Sequence, residues 1–278
     1  MVIDFHTHIF PPKIRDNREQ YVRRDPVFAE LYADPKAKLA TAEDLVAEMD
    51  VQEVEASVAL NIGWSSHQIC QETNDYILES AARYPNRLFA FGMAVFDGSD
   101  DSLKEIERCH KKGMKGIGEI RLSPRILRDL DPLAEIIQKF ISLNLILLTH
   151  TSEPAGHSYP GKGDITPELL YPLIKRFPNL KLVCAHWGGG LPFYALMPEV
   201  HKALENVYFD TAASPYLYQP QIYSQVATLC SPEKILFGTD YPLLSPRRYI
   251  REIDSQGLPE NVKAQILSEN ARRLLHLE

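Results

Sequence analysis

The sequence predicts an α/β fold of repeated strand–helix units around a parallel sheet, eight in number, the pattern of a (β/α)8 barrel. Three observations carry that reading. Eight short runs rich in Val, Ile, Leu and Phe recur along the chain, helical patterns separate them, and no linker interrupts the series. Several runs, such as Leu145-Ile146-Leu147-Leu148, lack polar alternation, as strands covered on both faces require. A length of 278 residues would suit roughly two average domains, but barrels of this kind reach about 250 residues as one unit. The unbroken alternation therefore predicts one domain spanning residues 1–278.

In chain order the predicted strands are residues 2–6, 54–60, 88–95, 115–121, 144–150, 180–186, 206–210 and 234–240. Helical patterns cover 41–49, which opens on Thr41 with an acidic first turn, then 66–83, and 101–112, which ends in basic residues before Gly113. Further helices are predicted at 130–143, 166–177, 191–204 and 219–230. In the closing stretch, 259–275, Val262, Ile266, Leu267, Leu274 and Leu275 recur at helical spacing and predict a helix docked on the barrel exterior. One connection is long: residues 9–40 carry Pro11, Pro12, Pro26 and Pro35 among Lys13, Arg15, Arg18, Arg23 and Arg24, and read as an extended loop. A second Gly/Pro-rich loop spans 150–163. In an eight-stranded barrel both loops lie on the face where loops leaving the strands' C-terminal ends converge.

Composition excludes several functions. Thirty Lys+Arg against 37 Asp+Glu give a net charge of -7 without a dense basic run, which argues against a nucleic-acid partner. The apolar stretches fall far short of the roughly 18 residues a membrane helix needs, and no charged-then-apolar leader precedes the first run, so a cytosolic protein is expected. Cys70, Cys109, Cys184 and Cys230 stand alone in the sequence, which suits reduced thiols better than disulfides or a zinc ribbon. Assembly as a homo-oligomer stays open.

With nine histidines in the chain, a lone His-x-His carries little information; position supplies the rest. His6 and His8 lie two residues apart at the end of the first strand, so both side chains take one face while Thr7 takes the other. His150 ends the fifth run, His186 the sixth and Asp240 the eighth, and Glu119 lies near the end of the fourth. A single strand-end His or Asp is most often a hydrogen-bonded core residue or a helix cap. Six such side chains at strand ends instead predict a metal site, whereas His67, His110, His201 and His276 fall in helical stretches where exposure accounts for them.

At these residues the chain resembles the amidohydrolase superfamily, and more narrowly the amidohydrolase-related (amidohydrolase 2) group that includes aromatic-acid decarboxylases. The resemblance rests on Ile3-Asp4-Phe5-His6-Thr7-His8, Gly116-Ile117-Gly118-Glu119, His150 with its Gly161-Lys162-Gly163 loop, and Ala185-His186-Trp187-Gly188-Gly189-Gly190. It continues through Phe237-Gly238-Thr239-Asp240-Tyr241-Pro242 and Asn270-Ala271. It implies a (β/α)8 TIM barrel with metal held by His6, His8 and Asp240, joined by His150, and with Asp240 also handling protons. It further implies a choice of metal number. Members similar to TatD-type hydrolases carry a strand-four Glu, matching Glu119, that helps hold two metals, with His150 and His186 serving the second. Decarboxylase-like members use one, and their counterpart of His186 transfers protons.

A divalent ion held by imidazoles and carboxylates lowers the pKa of bound water from about 15.7 towards 7, which supports hydrolysis of an ester, lactone or amide. A mixed N/O set without thiolate admits zinc, the first choice, or manganese, nickel or iron. Two ions are favoured over one, because Glu119 then has a role. The expected protein is thus a metal-dependent hydrolase of a small, carboxylate-bearing molecule. The alternatives are a mononuclear decarboxylase or hydratase of an aromatic or unsaturated acid, and a non-catalytic barrel with a structural metal. On the substrate side, Arg121 shares parity with Glu119 and could aim its fork at a carboxylate or pair with a neighbouring acid. Trp187, Tyr216 and Tyr218 could face an apolar substrate or pack at the rim. Lys162 could present its ammonium to an anion or sit in a plain turn.

Overall fold

The computed structural model describes residues 1–277. Its strands are β1 (Ile3–His8), β2 (Ala56–Leu60), β3 (Leu88–Gly92), β4 (Gly116–Ile120), β5 (Ile146–Thr149), β6 (Lys181–Cys184), β7 (Val207–Asp210) and β8 (Ile235–Leu236). They form one sheet in sequence order, parallel at every step. The ends meet: Phe5 N–H donates to Phe237 O at 2.7 Å, Asp240 N–H to His6 O at 2.9 Å, and Thr7 pairs with Tyr241. This is the predicted (β/α)8 barrel.

Alternate residues of the strands build two layers. Leu145 and Leu147 pack outward with helix residues such as Ile136, Ile137 and Phe140, whereas Ile146 and Leu148 join Phe5, Val58, Phe91, Val183 and Leu236 inside. The closing stretch, Glu260–Ala264, Gln265–Glu269 and Asn270–Leu275, differs from its expected place on the exterior. Ile266 packs in the outer layer, but Ala271, Leu274 and Leu275 join the inner cluster. Asn270 fastens this stretch, its Nδ2 donating to Pro232 O and Ile235 O, each at 2.8 Å.

Residues 9–40 are not the extended loop the prolines suggested. They hold α1 (Pro12–Asp16), α2 (Arg18–Arg24) and α3 (Pro26–Tyr32). Pro12 and Pro26 each open a helix, at the position where the missing N–H costs nothing. Asp25 caps α3 by accepting from Val27 and Phe28 N–H, each at 3.0 Å, and its other oxygen accepts from Ser65 N–H at 2.8 Å and Oγ at 2.6 Å. Phe28 stacks on Trp64 with ring centroids 5.2 Å apart, and Phe10, Tyr21 and Tyr32 complete the cluster. The insert is therefore packed against the barrel mouth. The helix Pro246–Asp254 also lies outside the predicted elements, for the same reason: Pro246 starts it, and only Pro246, Tyr249 and Ile253 of its nine residues are buried.

The helices α4 (Ala42–Gln52), α5 (His67–Arg83), α6 (Asp100–Lys111), α8 (Ala134–Ser142) and α9 (Pro167–Arg176) follow the predicted order between strands, whereas α7 (Pro124–Arg128), opened by Pro124 and capped by Ser123, lies where no helix was expected. The predicted helix at 191–204 is a 3-10 turn, Leu191–Leu196, followed by the helix Pro198–Ala203. Ile222–Cys230 matches its prediction. All four cysteines are buried and unpaired. Among the described residues no helix is long and apolar enough to cross a membrane.

Candidate metal centre

β1 delivers two imidazoles to the mouth. His6 Nδ1–H donates to Asp210 Oδ2 at 2.8 Å, which turns the Nε2 lone pair towards His8, whose Nε2 lies 3.1 Å away. Asp240, just past β8 and in the left-handed region at φ 61°, brings Oδ1 within 3.0 Å of His8 Nε2 and 3.8 Å of His6 Nε2. Glu119 enters from β4 with its two oxygens facing opposite ways. Oε2 lies 3.8 Å from both His6 Nε2 and His8 Nε2, while Oε1 lies 2.8 Å from His150 Nδ1 and 3.1 Å from His186 Nε2.

All six predicted ligands thus gather at one mouth, as two triads sharing Glu119: His6, His8, Glu119 and Glu119, His150, His186. Asp240 closes the first group and is its most exposed member, with a side chain 19% exposed. His150 does not join His6 and His8, since its two ring nitrogens meet Glu119 and the carbonyl of Lys162, each at 2.8 Å. His186 follows β6 with φ 54° and ψ 47°, and its Nδ1–H donates to Ala212 O at 3.1 Å.

The charges couple strongly. Burial works against an ionised Asp240, but the His8 hydrogen bond and charge, followed by His6 and His186, carry it down to about 2. Burial also opposes ionised Glu119, yet His150, His186 and His6 hold it well below the carboxylate range. Burial pulls His186 down, and its bond to Glu119 overrides this to set it at about 9. His6 likewise lies well above its usual value, through Asp210 and Glu119.

This donor set fits a cation. Ligand atoms about 2.0–2.2 Å from one ion at right or tetrahedral angles stand ~3.0–3.5 Å apart, and the shortest edges of the first group are 3.0 and 3.1 Å. Two imidazole nitrogens and carboxylate oxygens without thiolate match a divalent ion of intermediate or hard character.

The substrate-side candidates divide. Arg121 stands at the mouth, its Nη2 donating to Gly161 O at 2.5 Å and lying 3.7 Å from Glu30. Gly163, at φ +64°, makes room for it, because an added Cβ would stand 2.9 Å from that guanidinium and 3.6 Å from the His150 ring. Trp187 is fully buried, donates to Ser214 Oγ at 2.9 Å and packs edge-on to Tyr223, beneath the mouth. Tyr216 lies at the outer rim, 52% exposed and under Arg248. Lys162 Nζ donates to Ala155 O and His157 O, so its ammonium braces the loop.

Three residues outside the predicted set belong to the site. Asp210 supports His6; as the carboxylate closing the seventh run it carried the same signal as Asp240. Asp4 accepts from His6 N–H at 3.1 Å and from Thr239 N–H at 3.0 Å and Oγ1 at 2.5 Å, and burial raises it to about 7. Tyr32, at the end of α3, is held against Phe10 and Phe28, and burial together with the carboxylates of Asp240 and Glu119 keeps its phenol protonated. No sequence signal could have found Tyr32, because only the packed insert brings it to the mouth.

Comparison with known proteins adds to this geometry. The family model described as amidohydrolase matches residues 3–277. The 2-amino-3-carboxymuconate-6-semialdehyde decarboxylase of Dictyostelium discoideum is 22% identical over 339 aligned positions, covering 99% of this chain and 92% of the relative. Among solved structures, 5-carboxyvanillate decarboxylase from Sphingomonas paucimobilis superposes with a TM-score of 0.81 at 17% identity, covering 100% of this chain and 99% of that one. A dihydroxybenzoic acid decarboxylase from Polaromonas, with bound manganese and the inhibitor 2-nitroresorcinol, gives 0.76 at 19% identity, covering 99% and 97%.

Proposed function

The chain belongs to the amidohydrolase family, and on that premise we propose that it is a divalent-metal-dependent lyase that decarboxylates a small aromatic or unsaturated acid. Hydrolysis, the reaction expected from sequence, becomes the second reading. The observation that carries the proposal is the position of His186: a buried imidazole beside the His6, His8 and Asp240 group, its Nδ1–H tied to a carbonyl and its Nε2 turned inward. Decarboxylation needs a proton delivered to carbon, and this ring is set to deliver it. The full-length relative, itself a decarboxylase, supports the same reaction.

His6, His8 and Asp240, with one oxygen of Glu119, would hold the cation. When bound, a divalent ion supplies positive charge that draws electron density from the substrate and offsets the charge that develops as carbon dioxide leaves. Manganese is the first choice, on the donor chemistry and on the ion held by the Polaromonas enzyme. Arg121 orients a substrate carboxylate through charge-assisted hydrogen bonds. As the bond from ring carbon to carboxylate breaks, its electron pair stays on that carbon and the His186 Nε2 proton moves there. Glu119 Oε1, 3.1 Å away, holds His186 in its proton-bearing form before transfer.

One observation favours hydrolysis: the carboxylate of Glu119 faces two imidazole pairs, as a residue shared by two cations would. The experiment that separates the readings offers the manganese-loaded chain hydroxybenzoates and unsaturated dicarboxylates, and separately aryl esters and lactones. Release of labelled carbon dioxide with one ion per chain supports the lyase. Ester or lactone turnover with two ions per chain and no carbon dioxide overturns it.

A further inference from the structure

Asp210 closes β7 with a fully buried carboxylate whose two oxygens serve different histidines. Oδ2 accepts His6 Nδ1–H at 2.8 Å; Oδ1 accepts the backbone N–H of His186 at 2.9 Å and that of Ala212 at 3.0 Å. The carbonyl of that same Ala212 accepts His186 Nδ1–H at 3.1 Å. His186 needs this support, because a left-handed backbone costs a residue with a Cβ about 1–2 kcal/mol. One side chain therefore sets a ring on β1 and both the backbone and the ring of a residue after β6.

We infer that Asp210 is a positioning residue that fixes His6 as the Nδ1–H tautomer, with Nε2 free for a cation, and in the same contact locks the turn that presents His186. The first half follows from donor and acceptor arithmetic. A carboxylate only accepts, so the ring nitrogen facing it carries the hydrogen and the other nitrogen keeps its lone pair. The second half follows from connectivity, since Oδ1 holds two successive supports of His186 and leaves only Oδ2 for His6. The inference rests on the reading of His6 as a cation ligand.

Asp210→Asn tests it with almost no change in volume. An Asn whose oxygen keeps the His186 and Ala212 N–H groups must point its amide N–H at His6 Nδ1. That selects the Nε2–H tautomer, which cannot bind a cation at Nε2. Manganese affinity of the full chain, measured by calorimetric titration, is expected to fall about 10–100-fold with the circular dichroism spectrum retained. A second readout holds even if the variant does not fold: nitrogen-15 spectra of the zinc-loaded wild-type chain, selectively labelled at histidine, are expected to show His6 protonated at Nδ1 and coordinated through Nε2. Manganese affinity within two-fold of wild type in folded Asp210→Asn, or His6 bare at Nδ1 in the spectra, overturns the inference while leaving the metal centre intact. Wild-type protein that binds neither ion defeats the earlier reading instead.

Discussion

Gly189→Ala puts a price in degrees on the tight packing around His186. At Gly189, φ is +58°, and a Cβ there would stand 2.3 Å from the carbonyl oxygen of Ser152, a backbone atom two residues past His150. Gly257 provides the control: its φ of +62° is nearly the same, but nothing lies within 4 Å of the added carbon. Both substitutions incur the left-handed cost of about 1–2 kcal/mol. Only Gly189→Ala adds overpacking, a further ~1–3 kcal/mol. For a chain of this size a difference of that order separates the melting temperatures by roughly 2–10 °C. Relieving the overlap moves the Ser152 backbone by about 1 Å, and a shift of that size near the reacting groups costs on the order of 100-fold in turnover. Differential scanning fluorimetry of both variants, with turnover assayed on the substrate that the carbon dioxide screen identifies, checks both numbers. If Gly189→Ala melts with Gly257→Ala and keeps wild-type turnover, the close approach of the β6 turn to Ser152 is not what holds His150 and His186 in place.

His186→Gln is expected to keep its manganese and to lose about 100- to 10,000-fold in kcat, the usual worth of a positioned proton donor; titration alongside steady-state rates reads both. Arg121→Ala is expected to raise KM about 10- to 100-fold, matching the loss of one hydrogen bond to a charged group, with kcat much less affected; Tyr32→Phe is compared in the same assay. The metal-free protein also has a pH signature. Asp4 is raised by burial to about 7 from 3.8, so the folded state keeps a proton there that the unfolded state loses. Its contribution is intact below pH 3.8 and declines as pH rises through 7. Asp4→Asn mimics the protonated form, so in urea melts with chelator it should match wild type at pH 4 and exceed it by a few kcal/mol at pH 8, at about 1.4 kcal/mol per pKa unit. Equal stabilities at both pH values would contradict the raised Asp4.

The barrel was legible because its strands are covered on both faces. Runs such as Leu145 to Leu148 need apolar residues inside and outside alike, and the structure uses them that way. The gathering of the six candidate ligands was legible because they lie at or near strand ends, and strand ends converge in this fold. Proline concealed the rest. Pro12 and Pro26, in the stretch expected as an extended loop, each open a helix, and so does Pro246 where no helix was expected. Asp210 ends the seventh run as Asp240 ends the eighth, but no histidine accompanies it there, and a carboxylate that supports another side chain leaves no spacing pattern of its own. Trp187 shows the converse. Its place after His186 suggested a substrate contact, while the turn rotates it into the core towards Ser214 and Tyr223. The division of the six candidate ligands into two groups around Glu119 depends on which way one carboxylate faces, and strand parity does not specify that.

The proposed chemistry requires one ion at the barrel mouth. Anomalous diffraction at the manganese edge, from crystals of the full chain grown with manganese, is expected to place a peak within bonding distance of His6 Nε2, His8 Nε2 and an Asp240 oxygen. A map with no peak at those three atoms, from protein that binds manganese elsewhere or not at all, would contradict it.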